Sequence, residues 1–576
     1  MRTPPPLPPL PSFAHDAVVE CVPNFSEGRD KAVIDAIVDA MRAVAGVSVL
    51  DVDPGAATNR TVVTLVGHPL PLLEAAFAGI AAAQARIDMR RHSGAHPRIG
   101  ATDVCPFVPV RGMSMDDCAA LAAHLGARVG AALGIPVYLY ERAARAPERV
   151  NLADIRAGEW EGLADKLRDP AWLPDFGPAE PTDGVLASGA TVIGARPFLI
   201  ALNVNLNTKN VRKANKIGAL VREKGIYRKD EQLNIIRDAE GKGIRDPGMF
   251  PCVKAIGWFI EEYDRCQVSI NFTDHTVSPV HEVVDAIRRV ADAEGVVVTG
   301  CELVGLIPLD AMRAAGRHYL RRQGGNPGAP DAELIEVAIR SLGLRDVRPF
   351  DPNQAIIERR VAGDGRLVGA TVRAFVDQLS SVSPAPGGGS VAALCGALSA
   401  SLAAMVAQLT SGKKGHEHQG AEMDALAVEG QQLKEAFLAD VDADTAAFDA
   451  IMTAFALPKD TPAQKEARRA AVEAATHGAA AVPARVLTRT RRAAALATLA
   501  ATGNRNARSD AGVAGLCARA CAEGAYYNVL INVSGLKDQA AAAHFRAAAQ
   551  ADWEAVVAET EALAAQIRGE LQVNPA

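Results

Sequence analysis

The strand-forming pattern that fills the first part of this 576-residue chain stops in its middle. Over residues 18–347, β-branched runs such as VVECVPN, VSVLDVD and TVVTLVGH alternate with amphipathic stretches that begin near Lys31 and Leu70. Further strands are expected at 137–140, 191–206, 255–261, 267–272 and 296–299, with helices starting at Ser114, Lys209, Ser278 and Asp331. After Gly369 strand signals almost vanish, and residues 401–550 hold 44 alanines. Ala-rich sequence with apolar residues at helical spacing, broken only by turns such as LPKDTP and TGNRN, specifies a helical bundle of roughly 200 residues. No single layer architecture serves both patterns. The expected fold is therefore multidomain, with two α/β (α+β) subdomains followed by an all-α helical bundle. The boundaries expected are a disordered Pro-rich tail at 1–17, subdomains at 18–194 and 195–347, a linker at 348–368 and the helical domain at 369–576.

Charge and composition remove several function classes. Sixty-one Lys plus Arg against 67 Asp plus Glu leave a formal charge of −6, so the chain has no excess positive field with which to hold nucleic acid. The nine cysteines form no CxxC pair, which argues against a disulfide framework or a zinc ribbon. The first residues are Pro-rich and lack the apolar core of a secretory signal. Residues 387–412 carry no charge and are long enough to span a bilayer, but they are mostly Ala, Ser and Gly and read as a buried bundle helix. The expectation is a cytoplasmic protein with neither nucleic-acid nor membrane partners.

The densest polar constellation is Arg90-Arg91-His92-Ser93-Gly94-Ala95-His96-Pro97-Arg98, followed by Asp103. Two histidines four apart suit a metal only on a helix, and Gly94 between them with Pro97 after them makes this a loop. An ordinary surface or hydrogen-bonding role stays open for them. So does acid/base chemistry, because imidazole titrates near neutrality and the adjacent arginines suit substrate carboxylates. Asn24, Asp53, Asn59 and Arg60 stand at strand-end turns, where ligand groups and plain turn residues are equally at home.

In the helical half, Asp440, Asp442 and Asp444 supply carboxylates. On a helix Asp440 and Asp444 share a face, and two like charges that close can raise one pKa toward neutrality. The competing reading is an exposed acidic face. Gly387-Gly388-Gly389-Ser390 opens a long helix, either as an anion or carbonyl site or as a hinge. Asn504, Arg508, Ser509 and Asp510 form a polar island among alanines, and Tyr526-Tyr527-Asn528 follows it.

VECVPNFSEG, DVDPGAATNRT, RRHSGAHPRIGATDVCPFVPVRG and IPVYLYERAAR resemble, in that order, the formiminotransferase family. PAPGGGS, VDADTAAF, GNRNARSD and GAYYNVLIN resemble the cyclodeaminase domain that is fused to it in formiminotransferase-cyclodeaminases. The resemblance implies transfer of the formimino group from N-formimino-L-glutamate to tetrahydrofolate. Cyclisation of 5-formiminotetrahydrofolate to 5,10-methenyltetrahydrofolate with release of ammonia then follows, in histidine degradation. It implies tetrahydrofolate as co-substrate, polyglutamylated, with no metal, and a homo-oligomer.

Carried over by motif position, the catalytic histidine is His96 and the catalytic aspartate is Asp444. Arg98, Arg60 and Asn59 become candidates for substrate carboxylates, with Asp53 and Asn24 orienting the imidazole or the pterin. The folate-binding stretch falls on Gly177, Pro178, Gly184 and Gly189, which by itself reads as an interdomain linker. Ser390, Arg508, Asp510 and Asn528 are the binding candidates of the helical half. The basic cluster Lys209, Arg212, Lys213 and Lys216 suits either a solvated helix face or a polyglutamate tail. A segment at 226–250 departs from the family pattern. The rival reading keeps an active transferase and makes the helical half a noncatalytic oligomerisation module.

Overall fold

The structure, a computed structural model, describes residues 7–13, 17–56, 58–94, 97–232, 234–361 and 367–573. It separates into two compact units, one formed by 1–311 with 344–361 and the other by 312–343 with 362–576.

The first unit holds two main sheets. Strands β1 (Val18–Cys21), β2 (Asn24–Phe25), β3 (Val47–Gly55), β4 (Arg60–Gly67), β5 (Thr102–Arg111), β6 (Val137–Glu141) and β7 (Thr191–Ala195) build the larger one. β1 and β2 occupy one position between β4 and β5, because Pro23 interrupts the strand. β5, β7 and β6 run parallel, and the other pairings are antiparallel. Helices Lys31–Arg42, Pro69–Gln84 and Met115–Leu133 cover one face, where Val19, Cys21, Phe107, Leu65 and Ile193 form the core with Met41, Leu72 and Leu121.

β5 was not anticipated, since Pro106 and Pro109 argue against a strand. It is nonetheless central. The Pro106 carbonyl stays in use, accepting from Val22 N at 3.1 Å, and a proline is tolerated where its missing N–H costs no ladder bond.

The expected single strand over 191–206 is two strands in two sheets, divided by Pro197. β8 (Ile200–Leu206) begins the second sheet, and a small pair follows, β9 (Ile226–Tyr227) with β10 (Arg245–Asp246), inside the 226–250 segment. β11 (Val253–Ile260), β12 (Arg265–Phe272) and β13 (Val298–Val304) complete an antiparallel sheet in the order β11-β12-β8-β13. The period-2 alternation is strict. Leu202, Val204, Cys266, Val268 and Ile270 are buried in the sheet's core, while Asn203, Asn205, Gln267 and Glu302 point to the other side. Within the expected linker, Pro352–Ala355 and Ile357–Val361 are short helices.

The second unit contains no strand among its described residues. Its five long helices are Gly388–Thr410, Gly420–Ala456, Pro462–Ala500, Arg508–Val533 and Gln539–Val573. Small residues set how closely they pack: a Cβ on Gly396 would stand 2.6 Å from the Phe437 ring, and one on Gly430 2.8 Å from Ala404 Cβ. Gly388–Thr410 is long and apolar enough to cross a membrane, and most of its apolar window is buried inside the bundle. Pro462–Ala500 contains Pro483, which cannot donate to the Ala479 carbonyl one turn earlier. Asn532 Nδ2 donates to that carbonyl instead, at 2.7 Å.

Candidate active sites

In the first unit, three loops meet around Asn59. Its backbone is left-handed, with φ 50°, a conformation that asparagine tolerates better than most residues. Its Oδ1 accepts from Gly28 N at 3.0 Å, its Nδ2 donates to Ser93 O at 3.0 Å, and its own carbonyl accepts from His92 Nε2 at 3.0 Å. A Cβ at Gly28 would lie 2.4 Å from Gly55 O, and one at Gly94 2.2 Å from Thr58 O. Both glycines are therefore fixed by close backbone approach.

His92 is fully engaged. Arg98 Nε donates to its Nδ1 at 3.2 Å, so the proton sits on Nε2 and goes to the Asn59 carbonyl. A ring with both nitrogens committed is a brace rather than a free base. His96 lies outside the described residues.

Arg98, 6% exposed, spends its donors on neighbouring groups. Nη1 reaches Glu159 and Glu161 at 2.8 Å each, and Nη2 reaches Glu161 at 2.7 Å and the His92 carbonyl at 3.5 Å. The Glu161 hydrogen bond pushes the arginine pKa up and, in return, holds the Glu161 carboxyl below its usual range. Glu159 follows Gly158 and has φ 55°. These residues, with Ser93 and Gly94, line an open cleft of about 480 Å³. Sequence reasoning missed both glutamates. The acidic pair in GEWEG is visible, but no spacing rule links it to an arginine some sixty residues earlier.

Below the loop, Asp103 is completely buried. It accepts from Ile99 N at 3.0 Å and is paired with Arg156. Burial pulls the Arg60 pKa down, Asp103 and Asp53 oppose that shift, and Arg156 adds to it. Asn24 is buried, with Nδ2 on Val22 O at 2.8 Å and its Oδ1 without a partner among the described residues. Asp53 is exposed on β3 opposite Val62.

The 177–189 segment is anchored at several points. Gly177, with φ 83°, closes against Ile135 O, and Gly189 packs on Ile99 and Gly100. Pro178 is half-buried. Between them Thr182 caps the helix Asp183–Ser188, on which Gly184 faces open space. Trp160 Nε1 donates to Leu186 O at 2.9 Å and Ala101 N to Ser188 O at 2.7 Å, which brings this helix beside the loop that follows Arg98.

A second cluster unannounced by the sequence lies on the polar face of the β8–β13 sheet. Glu302 accepts from Asn203 at 3.1 Å, Gln267 at 3.0 Å and Tyr263 at 3.0 Å, with Trp258 on Gln267 at 3.2 Å. In the basic cluster, Lys209 pairs with Asp264 and Lys216 with Glu294, and Lys213 donates to the Glu294 carbonyl.

In the second unit the three aspartates have separate tasks. Buried Asp440 is held by Arg485, at 2.7 and 3.0 Å, and by Arg489. Asp442 accepts from Leu367 N at 2.9 Å. Asp444 faces the start of helix Gly388–Thr410, where Ser390 Oγ donates to its Oδ2 at 3.0 Å. A Cβ on Gly389 would stand 2.1 Å from Asp444 Oδ1, so glycine is what lets the carboxylate reach the helix end. Burial pushes the Asp444 pKa up, while hydrogen bonds from the Ser390 hydroxyl and amide pull the other way. The expected like-charge cause is replaced by desolvation, because Asp440 is already neutralised by its two arginines.

Asn528 joins this site: its Nδ2 lies 3.6 Å from where a Gly388 Cβ would be. Arg508 and Asp510 do not. They stand at the opposite end of helix Arg508–Val533, about 30 Å from Asn528 at 1.5 Å per residue, and Arg508 pairs with Glu570 at 2.8 Å. Among the described residues no group of three or more His, Cys, Asp or Glu is placed to hold a metal ion.

Three family models match the chain in series: the formiminotransferase domain, N-terminal subdomain, over 18–196; the formiminotransferase domain over 201–362; and formiminotransferase-cyclodeaminase over 371–551. A glutamate formimidoyltransferase of Thermoplasma acidophilum is 40% identical over 54% of this chain and 95% of its own length. A methenyltetrahydrofolate cyclohydrolase of Methylorubrum extorquens is 40% identical over 171 residues, 30% of this chain and 82% of that protein. The formimidoyltransferase-cyclodeaminase of Rattus norvegicus is 42% identical over 90% of this chain and 93% of its own length. With both halves matched in one polypeptide, the chain belongs to the formiminotransferase-cyclodeaminase family.

Proposed function

We propose that the chain moves the formimino group of N-formimino-L-glutamate to N5 of tetrahydrofolate, with His96 as acid and base. It then closes the product to 5,10-methenyltetrahydrofolate, with Asp444 as the proton donor to departing ammonia. In the first step N5 attacks the amidine carbon and loses a proton, and the glutamate nitrogen leaves carrying one. A single imidazole can perform both transfers. Both ring nitrogens of His92 already hold hydrogen bonds, which supports His96 in that task.

In the second step N10 attacks the formimino carbon, and ammonia departs once it is protonated. The observation that carries this reading is Asp444, half-buried and hydrogen-bonded to Ser390 at the mouth of a glycine-opened helix. Burial shifts this carboxyl toward its protonated form, the direction that suits a proton donor. The same feature weighs against a purely structural helical half. Side chains supply both acid and base, so neither step calls for a metal.

The folate is taken as polyglutamylated. Lys209, Lys213 and Lys216 hold their present partners at the surface, where a longer acidic tail can displace them. The assembly is a homo-oligomer: helices Gly388–Thr410 and Arg508–Val533 each expose apolar side chains, Leu398, Met405 and Leu409 on the first and Val513, Leu516 and Ile531 on the second, which a second copy would cover. The setting is cytoplasmic, in keeping with nine free cysteines.

Likeness of part of the chain to a methenyltetrahydrofolate cyclohydrolase favours a second reading, in which water takes ammonia's place at the same carbon. Mixing the protein with N-formimino-L-glutamate and tetrahydrofolate tests all of this, following methenyltetrahydrofolate absorbance and ammonia together. Both signals rise if both sites work. Glutamate release without them leaves a transferase on a structural bundle, and decay of added methenyltetrahydrofolate faster than in buffer identifies the hydrolytic reading.

A further inference from the structure

Near the N-terminus, Leu7-Pro8-Pro9-Leu10-Pro11-Ser12-Phe13 repeats an apolar side chain at every third residue. Proline fixes φ, and a Pro-rich run favours polyproline II, which has three residues per turn, so Leu7, Leu10 and Phe13 fall on one edge. That edge meets the protein. Leu7 and Leu10 line a cleft of about 780 Å³ together with Val44, Leu70, Leu73 and Ala127. Phe13 packs on the core of the larger sheet and meets the His68 ring edge-on, with 6.1 Å between centroids. Pro8 and Pro9 face solvent.

A polyproline II segment makes no internal hydrogen bonds, so its carbonyls need donors from outside. His124 Nε2 provides one to Pro8 O, at 2.8 Å. The rim of the groove is fixed in turn: the Arg128 guanidinium lies 4.0 Å from the centroid of Phe77 and pairs with Glu74. Spacing, apolar lining and a carbonyl donor together are what recognition of a proline-rich ligand requires.

We infer that this groove, walled by the helices Pro69–Gln84 and Met115–Leu133, is a polyproline-binding surface whose occupant is the chain's own segment 7–13. The seat is half-open, with Leu7 39% and Leu10 38% exposed, so residues 7–10 are a releasable strap that Phe13 anchors to the core. Helix Pro69–Gln84 leads directly into Met89–Arg91 and His92, which places the strap on the element that carries the first site's loop.

The test uses the full chain and a fluorescent peptide of sequence PPPLPPLPSF. In wild-type protein the tethered strap competes at high effective concentration. The Leu7→Asp/Leu10→Asp variant is therefore expected to bind the peptide saturably and about tenfold or more tighter than wild type does. Adding His124→Ala to that variant should weaken the peptide again. Equal binding to both proteins, or none to the released variant, overturns the inference. A second measurement needs no strap substitution: His124→Ala alone should speed cleavage within 7–11 by a proline-specific endopeptidase several-fold, and an unchanged rate likewise overturns it.

Discussion

Asp444 and Ser390, distant in sequence, share a 3.0 Å hydrogen bond at the opening of helix Gly388–Thr410. The hydroxyl steadies the ionised carboxylate while burial opposes it, so Ser390→Ala should raise the Asp444 pKa further. The pH profile of the cyclisation step then moves to higher pH, and transfer is unaffected. Asp444→Asn should abolish cyclisation by roughly 100-fold or more and let the formimino intermediate accumulate, as read by ammonia release.

Gly389→Ala probes the same contact from the helix side. A methyl group there would overlap the Asp444 carboxylate, at 2.1 Å. Cyclodeaminase activity should drop while circular dichroism stays helical. Full activity would mean that the carboxylate works from another position.

Arg98, expected from the sequence to bind a substrate carboxylate, instead commits its donors to His92, Glu159 and Glu161 and so braces the transferase loop. Replacing it with lysine removes the planar fork that joins His92, Glu159 and Glu161 and leaves a point charge. Arg98→Lys should lower kcat for transfer about tenfold or more with a smaller effect on KM, since it disturbs placement more than binding. Cyclisation of supplied 5-formiminotetrahydrofolate, assayed on the same protein, should be normal.

Glu20 gives the fold a pH signature. It is buried in the larger sheet, and burial pushes its pKa up to about 7, helped by Glu358 and opposed by Arg196. The folded state therefore holds this proton when the unfolded chain has lost it. Stability from this group is full below the ordinary carboxyl range and falls as pH rises toward 7, by up to roughly 3 kcal/mol. Glu20→Gln should remove that slope, so the melting temperature of the variant gains on wild type between pH 4.5 and 7.

Pro483 and Asn532 form a compensating pair. Asn532→Ala orphans the Ala479 carbonyl and should cost about 1–3 kcal/mol in denaturant unfolding. Adding Pro483→Ala restores a backbone donor and should recover most of the loss. If the two changes merely add, the side-chain bond is not what offsets the proline.

The division between a strand-rich half and an Ala-rich half was legible because side-chain period and intrinsic propensity are local properties. The residues around the second site were half legible. VDAD and GGGS mark Asp444 and Ser390, but Arg508 and Asp510 carry equally polar motif positions and fold about 30 Å away, at the other end of their helix. Linear order along a helix does not say which end will meet a partner. β5 was hidden by Pro106 and Pro109, whose cost depends on a ladder that exists only once β1 and β7 flank the strand.

By itself the sequence determined the division into a strand-rich half and an Ala-rich helical half, and the motif loops that name the family. Only tertiary structure decided that Glu159 and Glu161 secure Arg98, that His92 is a brace, and that burial rather than Asp440 raises the Asp444 pKa. The reason is physical: periodicity and turn chemistry act over a few residues, whereas desolvation and charge pairing depend on which distant segments exclude water from the same small volume.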